Sequence, residues 1–375
     1  MENLKNLKIG LVRRGYSATG GAEAYLLRLA QALSETGAGV TLYTSRDWPR
    51  EAWTVGEIVY LTADSPMKFS DAFEKNHRAG EIILSLERVA GCDVFRAGDG
   101  VHASWLARRA RHEPWWRSAF RKMNPKHREL LDLEKKIFSE GGAKHVIANS
   151  EMVKREIQDF YGWKAERISV VRNGYDPIFR TQEERSKERI DLREQLGYGE
   201  SQPLVLFTGS GWERKGLRFA VQAMRHCPDA ILLVAGRGHW RGRVPVNVRF
   251  LGPRKDVPQL CCAADIFVLP TLYDPSSNAC LEAMAYGLPI VTTMANGFAE
   301  LIKEDETGSR IEDPTDIPAL AAALSAWCDH LKVSQTGSLQ NALRELCSKQ
   351  AAAFSVERNL RETLKILTEK KGWGS

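Results

Sequence analysis

Short apolar runs alternate with amphipathic segments along nearly the whole chain, and this rhythm restricts the possible folds more than any other feature. In the first half the runs LKIGLV, VTLYT, EIVYL, DVFRAG, HVIANS and ISVVRN read as strands. Helices start at Glu23 and Glu151, and another closes near Val89. Leu26, Leu29, Ala30 and Leu33 recur at helical spacing, which gives the first helix one apolar stripe to lay on a sheet. From Arg180 to Gln202 the chain turns polar, with a short helical pattern (RIDLREQLG), and this stretch reads as a hinge. Beyond it PLVLFTG, AILLVAG, NVRFLG, DIFVLP and PIVTT read as strands of a second parallel sheet buried on both faces. Roughly the last hundred residues read as mainly helical. The expected class is α/β, with two doubly wound, Rossmann-like domains, residues 1–178 and 179–355, and a C-terminal helix over 356–375 that crosses back to the first. A length of 375 residues suits two such cores.

Hydrophobic residues at 43% and charged residues at 27% leave no room for a large disordered tail. The chain has no apolar run of membrane-spanning length, and MENLKNLKIG lacks a signal core, so a cytoplasmic location is expected. Cysteines 92, 227, 261, 262, 280, 328 and 347 lack the paired spacing of a zinc site and read as reduced core thiols. The net charge of +6 is modest, but it is locally concentrated: between Trp105 and Arg128 stand eight Lys or Arg residues and one acid, Glu113. Trp105, Trp115, Trp116, Arg117, Phe120, Arg121 and Lys122 make a mixture suited to an anionic membrane surface, where cations meet negative head groups and tryptophan prefers the interface. A solvated basic face with its aromatics turned inward is the alternative. No nucleic-acid motif accompanies the segment, and no nucleic-acid partner is expected.

Three segments could carry chemistry. After the first strand come Gly20 and Gly21, where backbone can approach a ligand and the helix start offers N–H groups to an anion. A structural turn would use the same glycines, and the three-glycine dinucleotide spacing is missing. The strand PLVLFTGS runs into Gly209 and then Trp212, Glu213, Arg214, Lys215 and Gly216, placing two adjacent cations at the carboxyl end of a strand. A guanidinium fork beside a point charge suits a pyrophosphate, whereas unpartnered cations at a helix start would oppose its dipole. In DIFVLPTLYDPSSNACLEAMAYGLPIVTT, Asp274 precedes Glu282, with a small polar loop between them: Ser276, Ser277, Asn278, Ala279 and Cys280. A helix starting near Asn278 would aim the loop N–H groups at a ligand and let Glu282 accept from vicinal hydroxyls such as a ribose pair. No His, Cys and carboxylate cluster has metal spacing, and no DXD triplet occurs.

Together GGAEAY, GSGWERKG and YDPSSNACLEAMAYGLPIVTT resemble, in order and spacing over the whole chain, the signature set of the family 4 retaining glycosyltransferases of GT-B fold. Within that family, the length, FRAGDGVH and the basic aromatic insert look most like the glucosyltransferases of the lipopolysaccharide core. The resemblance implies two domains facing each other across a cleft, the first binding an acceptor and the second a nucleotide sugar. It makes Arg214 and Lys215 the ligands of the donor diphosphate and Glu282 the partner of the ribose. Asp274 stands where the family's E-x7-E pattern has its first glutamate, a departure of one methylene that leaves its sugar contact open. Gly20 and Gly21 lie beside the diphosphate, and Asp99 or His102 meets the donor sugar, with Asp99 ranked first although Asp-Gly also forms turns. Main chain around Pro253 and Arg254 reads the base, while Asp256 is a helix cap. No cofactor or metal is implied. The substrates are a donor, taken as UDP-glucose, and a glycolipid acceptor at the inner face of the cytoplasmic membrane. UDP-N-acetylglucosamine or GDP-mannose would satisfy the same motifs, and an inactive basic binding protein is the remaining alternative.

Overall fold

The computed structural model describes residues 7–17, 21–117, 124–138, 142–179, 181–333 and 338–369. The chain forms two compact units: one of residues up to Arg172 together with the segment from Glu357, the other Asn173–Val356.

The first unit is built on a seven-stranded, all-parallel sheet of β1 (Lys8–Val12), β2 (Gly39–Thr44), β3 (Glu57–Tyr60), β4 (Ile82–Ser85), β5 (Cys92–Ala97), β6 (Ala143–Ala148) and β7 (Ile168–Val170), in the order β3-β2-β1-β4-β5-β6-β7. Helices α1 (Gly21–Glu35), α2 (Pro66–Asn76), α3 (His102–Ala110), α4 (Pro125–Phe138) and α5 (Glu151–Tyr161) connect the strands. The stripe of α1 is buried as its spacing requires, with Leu26, Leu29, Ala30 and Leu33 all inaccessible. Each of these leucines contributes about 1.5–3 kcal/mol by leaving water. The helix expected to close near Val89 ends instead at Asn76, and Ile82–Ser85 is a central strand. A short apolar run fits a buried helix or a buried strand equally well. Here all four residues are buried, as a strand covered on both faces demands.

The second unit holds a six-stranded parallel sheet of β8 (Leu204–Thr208), β9 (Ile231–Ala235), β10 (Val248–Gly252), β11 (Ile266–Leu269), β12 (Ile290–Thr293) and β13 (Gly308–Ile311), in the order β10-β9-β8-β11-β12-β13. Its helices are α6 (Gln182–Leu196), α7 (Leu217–Ala223), α8 (Val257–Ala263), α9 (Asn278–Ala285), α10 (Ile317–Val333) and α11 (Ser338–Ala352). The edge strand β13, sequence GSRI, carries no apolar alternation and had no signal in the sequence.

The stretch 180–202 is not a free hinge. It forms α6, closed at its start by a reciprocal Thr181–Glu184 capping box and at its end by the left-handed Gly197. Arg193 is 1% exposed and donates to Asp265 at the head of β11 (2.5 Å), which fastens this polar helix to the second sheet. The last helix, α12 (Val356–Glu369), supplies Leu364, Ile366 and Leu367 to the core of the first unit, and Tyr25 and Thr363 share a hydroxyl hydrogen bond (3.2 Å). All seven cysteines are buried thiols.

Candidate functional site

In each sheet the strand order reverses beside the first strand of its unit: between β1 and β4, and between β8 and β11. Crevices outside the carboxyl ends of strands at such reversals are where open α/β sheets bind ligands.

In the second unit β8 leads into a tight loop. Gly209 and Gly211 have positive φ, and Lys215, Gly216 and Leu217 donate main-chain bonds back to Gly211, Glu213 and Trp212. Gly216 has no substitute here: its φ is +74°, and a Cβ would lie 1.8 Å from the Pro270 carbonyl. The loop is tied to the segment after β11. Thr271 Oγ1 and Leu272 N both donate to the Arg214 carbonyl (2.8 and 2.9 Å), and the Arg214 guanidinium reaches the Tyr273 carbonyl at 3.4 Å. The Lys215 ammonium is paired with the Asp274 carboxylate, both side chains being mostly buried. Asp274 is itself fixed, donating through N to Ala295 (2.9 Å) and accepting through its carbonyl from Gly297 (2.8 Å). Two residues assigned separately to diphosphate and sugar therefore stand in contact.

The loop that follows enters α9, whose N-cap is Ser277. Here the expectation needs correction. The Ser277 amide donates to Asn296 Oδ1 (3.2 Å) and the Cys280 amide to Ser277 Oγ (3.4 Å), so these two N–H groups serve the loop's own fold rather than a ligand. Cys280 Sγ is buried and accepts from Asn296 Nδ2 (3.4 Å). Asn173 ties Ser276 and Asn278 together through the Ser276 carbonyl (3.1 Å) and Asn278 Oδ1 (2.7 Å). Ser276, on the loop, and Ala279, in the first turn of α9, are half-buried. Glu282, one turn into α9, is half-buried and accepts from the Tyr175 hydroxyl (3.3 Å), which lies equally close to the Tyr286 hydroxyl (3.3 Å). Burial raises the Glu282 carboxyl above its ordinary range, and the Tyr175 hydrogen bond acts the other way. Pro253 is exposed beyond β10. Asp256 occupies the N-cap position of α8 without a side-chain cap bond. Its carboxylate pairs with Arg254, which holds it below the ordinary carboxylate range.

In the first unit, Gly21 is exposed at the start of α1, and Gly20 lies outside the described residues. Asp99 and Gly100 form the turn from β5 to α3. Gly100 has φ +70°, and the Asp99 carboxylate is 67% exposed, 4.0 Å from Arg88. Arg88 is nearly buried; desolvation opposes its charge, but Glu134, Asp99 and Glu87 together raise its pKa. Glu134, fully buried, accepts from the amides of His102 (2.5 Å) and Ala103 (3.1 Å) and so caps α3 from a distant helix. The His102 ring stacks on His127 with a 3.0 Å nitrogen contact. Burial, then Arg88, His127 and Lys126, push its pKa down to about 4.

Sequence reasoning passed over Arg13, Glu23, Glu87 and Arg88, which cluster at the carboxyl ends of β1 and β4 through an Arg13–Glu23 pair (3.1 Å) and an Arg13–Glu87 contact (3.9 Å). The pair RR directly after LKIGLV was the available signal. Tyr175 and Asn173 were also missed, and nothing local in VRNGYD marks them.

The basic segment divides in two. Arg108 and Arg109 are paired to Glu156 (3.1 Å) and Glu113 (2.6 Å), and Arg109 lies over the half-buried Trp105 ring. Trp115 is 82% exposed and Trp116 46%, with Arg117 against the latter. Phe120, Arg121 and Lys122 lie outside the described residues. Among the described residues no helix is long and apolar enough to cross a membrane, and none of their His, Cys, Asp and Glu side chains group as metal ligands.

Residues 19–179 match the family described as Glycosyltransferase Family 4, and residues 202–330 that described as Glycosyl transferases group 1. The chain is 24% identical over 320 residues to the lipopolysaccharide glucosyltransferase WaaG of Escherichia coli K12, covering 80% of this chain and 83% of that protein. The crystal structure of WaaG, a glycosyltransferase involved in lipopolysaccharide biosynthesis, superposes with a TM-score of 0.75 at 22% identity, covering 96% and 99% of the two chains. Anabaena HepE in complex with UDP and glucose superposes with a TM-score of 0.69 at 19% identity, covering 96% and 99%.

Proposed function

We propose, from the premise that this chain belongs to the family 4 glycosyltransferases of GT-B fold, that it transfers glucose from UDP-glucose, with retention, to a lipopolysaccharide core or related glycolipid at the inner membrane face. The observation that carries this reading is the join at the β8/β11 reversal, where the Arg214–Lys215 loop is hydrogen-bonded to the segment bearing Tyr273 and Asp274. It supports a diphosphate site with two cations after β8, joined to the segment after β11 that leads to Glu282. The named relatives support the substrate choice, one being a lipopolysaccharide glucosyltransferase and another binding UDP and glucose.

The geometry supports a role for each residue. An ammonium has three donors and Asp274 takes one, so Lys215 keeps two for phosphate oxygens while Asp274 holds it extended across the loop. Arg214 offers a fork beside it. Glu282, steadied by Tyr175, accepts from the two ribose hydroxyls. Charge that grows on the departing diphosphate then meets preorganised cations, and no metal is required in this scheme. The acceptor hydroxyl attacks from the face the nucleotide leaves, and the departing phosphate oxygen takes its proton.

The test is transfer to lipopolysaccharide core lacking its first glucose, with UDP-glucose, UDP-N-acetylglucosamine and GDP-mannose as competing donors. An α-linked glucose product from UDP-glucose supports the reading. Preference for another donor reassigns the sugar, and no transfer or donor hydrolysis under any condition overturns it.

A further inference from the structure

The second unit contains a cavity of about 230 Å³ between α6, α8, α9 and α11, lined by Arg185, Arg189, Arg344, Tyr286, Gln182 and Asn341 among others. Of these only Tyr286 lies in a motif that the proposed transfer uses, and the volume lies below the range of drug-sized ligands. Three guanidiniums converge on this space, with a fourth, Arg193, behind them. Arg189, Arg193 and Arg344 share one buried carboxylate, Asp265, at 2.9, 2.5 and 3.5 Å. Arg193 alone is buried away from solvent and serves to fasten α6. Arg189 has a further partner in Glu200 (2.9 Å), while Arg185 donates to the Phe179 carbonyl (3.0 Å) and its guanidinium lies by the Tyr286 ring. Desolvation first, and then the neighbouring Arg189, lower the Arg344 pKa to about 10.

We infer that this cavity is a second ligand site, taking the phosphomonoester of a small polyhydroxylated molecule such as a hexose phosphate. Guanidinium forks match phosphate oxygens bidentately. The amides of Gln182 and Asn341 offer both donors and acceptors to the hydroxyls of the ligand. The site would bind its ligand whether or not the donor assignment above is right.

The experiment is a melting series at constant ionic strength with glucose 6-phosphate, inorganic phosphate and glucose as probes. Glucose 6-phosphate is expected to raise the melting temperature by roughly 5 °C at a hundredfold excess over Kd, more than inorganic phosphate, while glucose alone has no effect. The rise persists in Lys215→Ala, which excludes the β8 loop as its source, and is lost in Arg185→Gln. Asn341→Leu, at an exposed position, is the second variant should Arg185→Gln fail to fold. Vesicles bearing phosphatidic acid separate a lipid phosphate from a soluble one: sedimentation lower in Arg185→Gln than in the unaltered protein, without a soluble response, assigns the phosphate to a lipid. No soluble response and no such difference overturns the inference. So does a response that survives Arg185→Gln, or Asn341→Leu where the former does not fold.

Discussion

The Lys215 ammonium rests on the Asp274 carboxylate, 59 residues apart in sequence and joined where the β8 and β11 loops meet. A contact made by two largely buried charges couples stability to catalysis. Removing one partner strands the other, which costs on the order of 3 kcal/mol. Lys215→Ala is expected to slow turnover by about 30- to 1000-fold and to lower the melting temperature. Lys215→Met combined with Asp274→Leu is expected to recover most of the stability and none of the activity. Recovery of turnover in the double variant would remove the catalytic role.

Glu282 leads to a pH dependence of donor binding. In the proposed role its carboxylate form accepts from ribose, and its pKa is raised by burial. UDP affinity should therefore fall as pH drops through a value above the ordinary carboxylate range. Tyr175→Phe removes the hydrogen bond that favours the charged form, so the acid limb should move to higher pH. Glu282→Gln should abolish the limb and the preference for UDP over 2′-deoxy-UDP. Calorimetric titration against pH reads all three.

His102 contributes to stability against acid with a definite sign. Its folded pKa near 4 lies below the unfolded value near 6.5, so between these values the unfolded chain binds the extra proton and stability falls as pH falls. Urea midpoints from pH 4 to 7 should show this slope, and His102→Asn should flatten it.

The exposed Trp115 and Trp116 are expected to dip into an anionic interface. Sedimentation with vesicles containing anionic lipid should weaken as salt rises and when both are changed to Ala. Equal binding to neutral vesicles would refute a charge-driven contact.

Gly216→Ala forces a left-handed backbone on an L residue and drives its Cβ into the Pro270 carbonyl. The expected loss exceeds the 1–2 kcal/mol of the backbone term alone, and donor binding should go with it. Denaturant unfolding measures the first and calorimetry the second.

Periodicity in the sequence was enough to place most strands and the apolar stripe of α1, because burial on both faces leaves long runs of Val, Ile and Leu. It failed at Ile82–Ser85, where a run of three apolar residues and a serine is compatible with either regular structure, and at Gly308–Ile311, an edge strand whose one large apolar side chain is Ile311. The polar α6 read as a linker because Arg189 and Arg193 anchor it to the buried Asp265, and no local pattern reveals a partner 72 residues away from Arg193. The motifs named Arg214, Lys215 and Asp274, but nothing in their spacing shows that the loop of the first two is joined to the segment bearing the third. Tyr175, which steadies Glu282 from a coil 107 residues earlier, was not legible. The Ser277 and Cys280 amides looked available because a sequence does not show that Asn296 folds back to claim the first.

Because Leu364, Ile366 and Leu367 complete the core that Leu26 and Leu29 begin, the first unit is assembled from the two ends of its sequence, whereas the second is continuous. On a ribosome Asn173–Val356 can therefore close while its predecessor still waits, incomplete, for a helix not yet made. The part translated first is the part that finishes last, and during that interval its apolar sheet face is open to chaperones.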